Sequence, residues 1–185
     1  MSEIRVATRY AKSLLDLAVE KGFLENVHAD MQLFSSIVEK NHSFELMLKN
    51  PIINQDKKQT ILHEIFKKKV HPVTLTFFDI ILRKNRERFL PAIAASFDSM
   101  YNQHKGIEKA VITTPFPLND ALRKEFEKTV TKITGKKVIL TEKIDPSIIG
   151  GYILKIGDRQ LDESVNGKLK ALSYEFKEEG YTKLI

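Results

Sequence analysis

The sequence predicts an α+β protein, an N-terminal six-helix bundle followed by a small C-terminal α/β domain, with the division at residue 105. Three observations predict it. Apolar residues recur at alternating three- and four-residue spacing through residues 1–105, which places them on one face of successive helices. Short runs rich in β-branched residues begin only after Gly106. Asparagine, proline and glycine stand where the helical patterns break off.

In the first helix Ala7, Ala11, Leu14, Leu15 and Ala18 share one arc and Val6, Tyr10 and Leu17 extend it, so that at ~100° per residue about half the circumference is apolar. Leu24, Val27, Met31, Phe34 and Val38 form the inner face of the second. A short third segment with Phe44, Met47 and Leu48 ends at Asn50-Pro51, because a proline pushes the residue before it out of helical geometry. Asp56, with Gln59 three positions on, reads as a capping box that opens a fourth helix carrying Ile61, Leu62, Ile65 and Phe66. Lys67, Lys68 and Lys69 follow its end, where cations complement exposed carbonyls. Pro72 suits the first turn of a fifth helix. There Leu75, Phe78 and Leu82 form one arc, and Val73, Phe77, Ile80 and Ile81 widen it past half the circumference. A sixth helix carries Leu90, Ile93, Ala94, Phe97, Met100 and Tyr101 toward a stop at Gly106.

Beyond Gly106, KAVITT (109–114), KVILTEKI (137–144) and GYILKI (151–156) read as strands. Leu118, Leu122, Phe126, Val130 and Ile133 place a helix between the first two, and Val165, Leu169, Leu172 and Phe176 place another at the end, capped by Ser164. Gly157-Asp158 is a favoured hairpin turn between YILKI and RQLD, and Asp145-Pro146 favours a turn of its own. The glycine pair Gly150-Gly151 permits unusual dihedrals or a close backbone approach. The first and fifth helices stand out, since a surface helix usually buries a stripe only somewhat over 100° wide. Either both are central in the bundle, or their surplus apolar face forms a groove for an amphipathic helix from another chain.

Composition narrows the function. The chain has no cysteine, which excludes disulfides, thiolate metal sites and cysteine nucleophiles and fits a reducing compartment. Charged residues interrupt every hydrophobic run, so no window approaches the roughly 18 to 20 apolar residues of a membrane-spanning helix. The opening MSEIRVATRY has no continuous apolar signal core, and the expectation is an intracellular protein that meets a membrane only through a partner. The net charge of +6 is spread out: residues 1–105 hold 16 Lys+Arg against 12 Asp+Glu, and residues 106–185 hold 14 against 12. A basic RNA-binding module is therefore a second reading, but neither an aromatic platform motif nor a dense arginine patch supports it.

Sites for chemistry are scarce. HEIFKKKVH begins like a zinc-protease signature, yet that motif needs a second histidine four residues after His63, and Lys67 stands there. His28, His42, His71 and His104 lie in different segments without ligand spacing, and no metal site is expected. Gly151 and Gly157 are separated by five residues and followed by Asp158, where a phosphate loop needs four and then Lys and Ser/Thr. Asp145, Asp158 and Asp162 each have a turn or surface role. Neither a catalytic residue nor a cofactor is expected.

Three segments carry a family resemblance. ATRYAKSLLDLA (7–18), LRKNRERFL (82–90) and IDPSIIGGYILKIGDRQLDESVNGKLKAL (144–172) resemble the opening helix, middle segment and C-terminal signature of the delta subunit of bacterial F-type ATP synthase, the oligomycin-sensitivity-conferring protein family. The resemblance spans essentially the whole chain. It implies a non-catalytic stator subunit, one copy per complex, on the cytoplasmic side of the bacterial inner membrane, joining the catalytic head to the peripheral stalk. It further implies that residues 1–105 receive the N-terminal helix of the alpha subunit between the first and fifth helices, and that residues 106–185 contact the stalk b subunit. Matching positions make Tyr10 and Ile80 the leading alpha-contact residues, with Val6, Ser13 and Phe77 as neighbours. Nucleic acid is not an implied partner.

Overall fold

The computed structural model of the chain describes the backbone of residues 3–182 and the side chains of residues 3–132 and 134–176. The chain divides into two compact units, Met1–His104 and Lys105–Ile185.

Six α-helices and one 3-10 turn build the first unit among the described residues: α1 (Glu3–Glu20), α2 (Leu24–Lys40), α3 (His42–Lys49), α4 (Gln55–Phe66), α5 (Pro72–Arg83), the turn Glu87–Phe89, and α6 (Leu90–Lys105). The breaks between them have local causes. Gly22 and Gly106 take positive φ after α1 and α6, a conformation that costs glycine little and terminates a helix. Pro72 occupies the first turn of α5, and the His71 side chain before it accepts a hydrogen bond from the Val73 N–H.

The capping box expected at Asp56 and Gln59 does not form. Helix α4 starts earlier, with Asn54 at the cap and no side-chain cap bond, so Asp56 lies inside the first turn, where its charge still meets the positive helix end. Gln59 instead donates to Asp79 of α5 at 2.9 Å, and His63 lies 2.8 Å from the same carboxylate oxygen.

Aromatic rings form the centre of this unit. Phe34, Phe66 and Phe78, from α2, α4 and α5, meet pairwise at centroid distances of 5.4 to 5.7 Å, with Phe44 of α3 against Phe34 and Phe66. Such tilted and edge-on pairs contribute beyond the area they bury. Two buried polar contacts add register. Asp30 of α2 accepts from the Thr74 hydroxyl at 2.6 Å and the His71 N–H at 2.8 Å, tying α2 to the start of α5. Lys58, 1% exposed, reaches from α4 to Glu87 at 2.7 Å and donates to the Leu48 carbonyl at 3.2 Å.

The second unit comprises β1 (Ile107–Thr114), α7 (Asp120–Thr134), β2 (Lys137–Ile144), β3 (Ile153–Ile156), β4 (Arg159–Asp162) and α8 (Val165–Thr182). Strand order is β2-β1-β3-β4. The β1–β2 pair is parallel, from Ile107 opposite Lys137 to Thr114 opposite Ile144, which is why a helix has to connect them. Strand β3 runs antiparallel to β1 and to β4. Ala110, Ile112 and Leu154 on one sheet face pack with Leu118 and Val130, and Phe126, Val138, Leu140, Tyr152 and Ile156 surround them. The side chain of Ile133, expected on the same stripe of α7, lies outside the described residues.

Local signals position these elements. The Asn119 side chain caps α7 by accepting from the Leu122 N–H, and Ser164 accepts from the Gly167 N–H near the start of α8. Gly157 takes φ +55° in the two-residue turn between Ile156 and Arg159. Strand β3 starts two residues later than the expected GYILKI. Gly151 stays outside it at φ +79°, where a Cβ would sit 2.2 Å from the Glu163 carbonyl oxygen. Glu142 of β2 accepts from the Leu118 N–H and pairs with Arg123 of α7, and these two donors hold its carboxyl below the usual range. Hydrogen bonds from Ser147 and Ser164 do the same for Asp145 and Asp162, which serve as turn residues.

Candidate partner-binding surface

The surplus apolar surface predicted on α1 and α5 resolves into a buried and an open part. On α1 the core side is small: Val6, Ala7, Ala11, Leu14 and Ala18 are buried. Tyr10 is half-buried, Ser13 is exposed and Leu17 remains 40% exposed. Positions 6, 10, 13 and 17 fall on one helical stripe, so an open strip runs from a buried Val6 outward along the helix. The Ser13 hydroxyl donates back to the Arg9 carbonyl at 3.0 Å, which leaves its oxygen free only to accept.

Most of the breadth of α5 belongs to the core, where Thr74, Phe77, Phe78, Ile81 and Leu82 are buried. Its open strip follows 73, 77, 80 and 84, with Val73 half-buried, Phe77 8% exposed and Ile80 44% exposed. The five expected contact residues therefore split by burial. Tyr10, Ser13 and Ile80 present surface, whereas Val6 (5% exposed) and Phe77 form the floor beneath it.

Val6, the first residue of the α1 strip, and Lys84, the last of the α5 strip, line one cleft of about 440 Å³ together with Asn85, Arg86, Arg88 and Phe89. The 3-10 turn that closes this cleft packs against both α1 and α5. Asn85 makes the bend, at φ +51°, and the Arg86 N–H returns to the Ile81 carbonyl at 3.0 Å. A second cleft of about 510 Å³ shares Arg88 and Phe89 and adds Glu3 and Lys49. The segment LRKNRERFL carries the family resemblance, but nothing in its sequence shows that Lys84, Arg86 and Arg88 line a cleft with Val6.

A further open apolar face lies in the second unit. Val165, Leu169, Leu172 and Phe176 of α8 are all exposed, although their helical spacing reads as a core stripe. Two of the histidines have clear structural partners: His28 stacks on Tyr101 at 3.5 Å and lies 3.0 Å from Asp98, and His63 lies against Asp79. Among the described residues no group of three or more His, Cys, Asp or Glu is placed to hold a metal ion, and no helix is long and apolar enough to cross a membrane.

Comparison with known proteins gives a consistent result. The model of the family described as ATP synthase delta (OSCP) subunit matches residues 6–176. The chain is 41% identical to the ATP synthase subunit delta of Cytophaga hutchinsonii, over 97% of this chain and 98% of that protein. It is 37% identical to the protein of the same name from Flavobacterium johnsoniae, over 95% and 98%. Among solved structures, a chain of the Toxoplasma gondii mitochondrial ATP synthase hexamer has the same fold, with a TM-score of 0.75 at 22% identity over 92% of this chain and 96% of that one. The α+β architecture and a match that runs through both units agree: the chain belongs to the ATP synthase delta (OSCP) subunit family.

Proposed function

We propose that this chain is a non-catalytic peripheral-stalk subunit of an F-type ATP synthase, holding the catalytic head to the membrane-anchored stalk so that the head does not turn with the rotor. It works on the cytoplasmic side of a bacterial inner membrane, as one copy per complex, and reaches the membrane only through the stalk. The observation that carries this reading is the pair of partly open apolar strips, Tyr10–Leu17 on α1 and Val73–Ile80 on α5, with Val6 before the one and Lys84 after the other lining one cleft. An amphipathic helix laid over them covers Tyr10, Leu17 and Ile80 at once, and the occupant is the N-terminal helix of the alpha subunit.

A tether under torque needs slow dissociation. Burying aliphatic and aromatic surface supplies it, because affinity differences between related complexes reside mostly in the off-rate. In the second unit, Val165, Leu169, Leu172 and Phe176 are spaced by four, three and four residues, the seam that another helix covers in coiled-coil packing, and the stalk b subunit is the partner assigned to that unit. The apolar grip need not depend on the +6 charge, and an RNA-binding reading finds no aromatic platform in support. Replacing Tyr10 and Ile80 together by aspartate is expected to abolish uptake of a peptide spanning the alpha N-terminal helix while the helical circular dichroism is kept. Unchanged affinity in that double variant would remove the α1–α5 surface from the account.

A further inference from the structure

The cleft at the joint of α1 and α5 is cationic in a way that the fold itself does not require. Its lining combines two apolar side chains, Val6 and Phe89, with Lys84, Arg86 and Arg88, and contains no carboxylate. The acid in the same segment, Glu87, points elsewhere: it is bound at 2.7 Å by the buried Lys58. Among the described residues no carboxylate pairs with Lys84, Arg86 or Arg88, and the Arg88 guanidinium lies 4.5 Å from the centre of the Phe89 ring. Another acid, Glu3, lies on the adjoining cleft, which Lys49 and Arg88 also line. Lys49 is already paired with Glu45.

Helix capping accounts for only part of this charge. Arg83 and Lys84 stand at the C-terminal end of α5, where cations complement open carbonyls. Arg86 and Arg88 come after the left-handed Asn85, once the chain has left the helix, and the Arg86 carbonyl there is already bonded to the Phe89 N–H at 3.0 Å. Guanidinium groups at an open cleft match planar carboxylates, which they can hold through two parallel hydrogen bonds.

We propose that this cleft receives carboxylate side chains at one end of the amphipathic helix whose apolar face covers Tyr10, Leu17 and Ile80. The inference rests on the alpha-helix reading above and adds a second, electrostatic component to it. Apolar burial along the strips sets the rate of release, and the cations of the cleft set the rate and register of arrival. Charges on the rim of an interface act mainly on association, and screening removes them beyond roughly 10 Å at 0.1 M salt.

The test is stopped-flow association of the full chain with a synthetic peptide spanning the alpha N-terminal helix, at low and high salt. Arg86→Gln with Arg88→Gln is expected to slow association about tenfold at low salt, to flatten the salt dependence and to change dissociation much less. Changing the terminal acids of the peptide to glutamine is expected to have the same effect on the wild-type chain, a readout that owes nothing to the variant's folding. Association by the double variant with unchanged rate and salt slope would overturn the proposal while leaving the apolar surface intact. A wild-type chain that takes up no peptide would overturn the reading beneath it as well. An unrelated RNA that displaces the peptide through Arg86 and Arg88 would overturn the proposal in favour of a nucleic-acid cleft.

Discussion

Replacing Ile80 by alanine divides one side chain's burial between folding and partner uptake, and the structure sets the shares. Full burial of an isoleucine contributes roughly 1.5–3 kcal/mol. Because 44% of Ile80 remains exposed in the free chain, about 1 kcal/mol of that contribution is left for a partner to claim. The expected loss of affinity for the alpha N-terminal peptide is therefore about fivefold, read by calorimetric titration. Phe77, one turn earlier on the same strip, is the counterpart. With 8% exposed it offers a partner almost nothing directly, whereas truncating it to alanine removes about 3–5 kcal/mol from the fold. The pair should thus separate cleanly. Ile80→Ala lowers affinity with a moderate fall in melting temperature, because its buried part is lost to the fold, and Phe77→Ala lowers the melting temperature several times further. An Ile80→Ala chain that binds the peptide as tightly as wild type would refute the division.

Three further outcomes follow from the buried contacts. Lys58→Ala leaves Glu87 in the interior without its cation and should cost about 3–5 kcal/mol in chemical denaturation, while Lys58→Met combined with Glu87→Leu recovers most of the loss. Gly151→Ala drives a methyl group into the Glu163 carbonyl at φ +79° and should destabilise the second unit by roughly 2–4 kcal/mol, whereas Gly135→Asn, at φ +68° with open space around it, should cost under about 1 kcal/mol. Tyr101 donates its hydroxyl proton to Glu25 at 2.6 Å, and that bond together with burial pushes its pKa from 10.0 up to about 12. The folded state therefore keeps a proton that the unfolded state releases. Stability from this group is complete below pH 10 and disappears as pH rises toward about 12, so Tyr101→Phe should flatten the fall in melting temperature across that window.

Much of the fold was legible because its signals are local. Strand β2 coincides with the β-branched run KVILTEKI, Ser164 caps the helix it precedes, and Gly157-Asp158 turns the hairpin, since each depends only on neighbours within a few residues. What escaped depends on distant partners. No periodicity shows that Lys58 is buried against a glutamate twenty-nine positions on, or that Gln59 serves Asp79 in place of a cap. The breadth of α5 was visible, but its division into core Phe77 and open Ile80 depends on which neighbours cover it. Helix α8 shows the reverse case: a core-like stripe that nothing among the described residues buries. The cations at 83–88 were passed over because their significance comes from folding back beside Val6.

A photoreactive residue at Ser13, which is exposed on the open strip of α1, tests the central claim most directly when the labelled chain is assembled into the synthase and irradiated. Ser13 is expected to crosslink to the N-terminal segment of the alpha subunit, and Thr8, exposed on a different face of the same helix, is not. Equal crosslinking from both positions, or none to alpha from Ser13 in an intact complex, would contradict it.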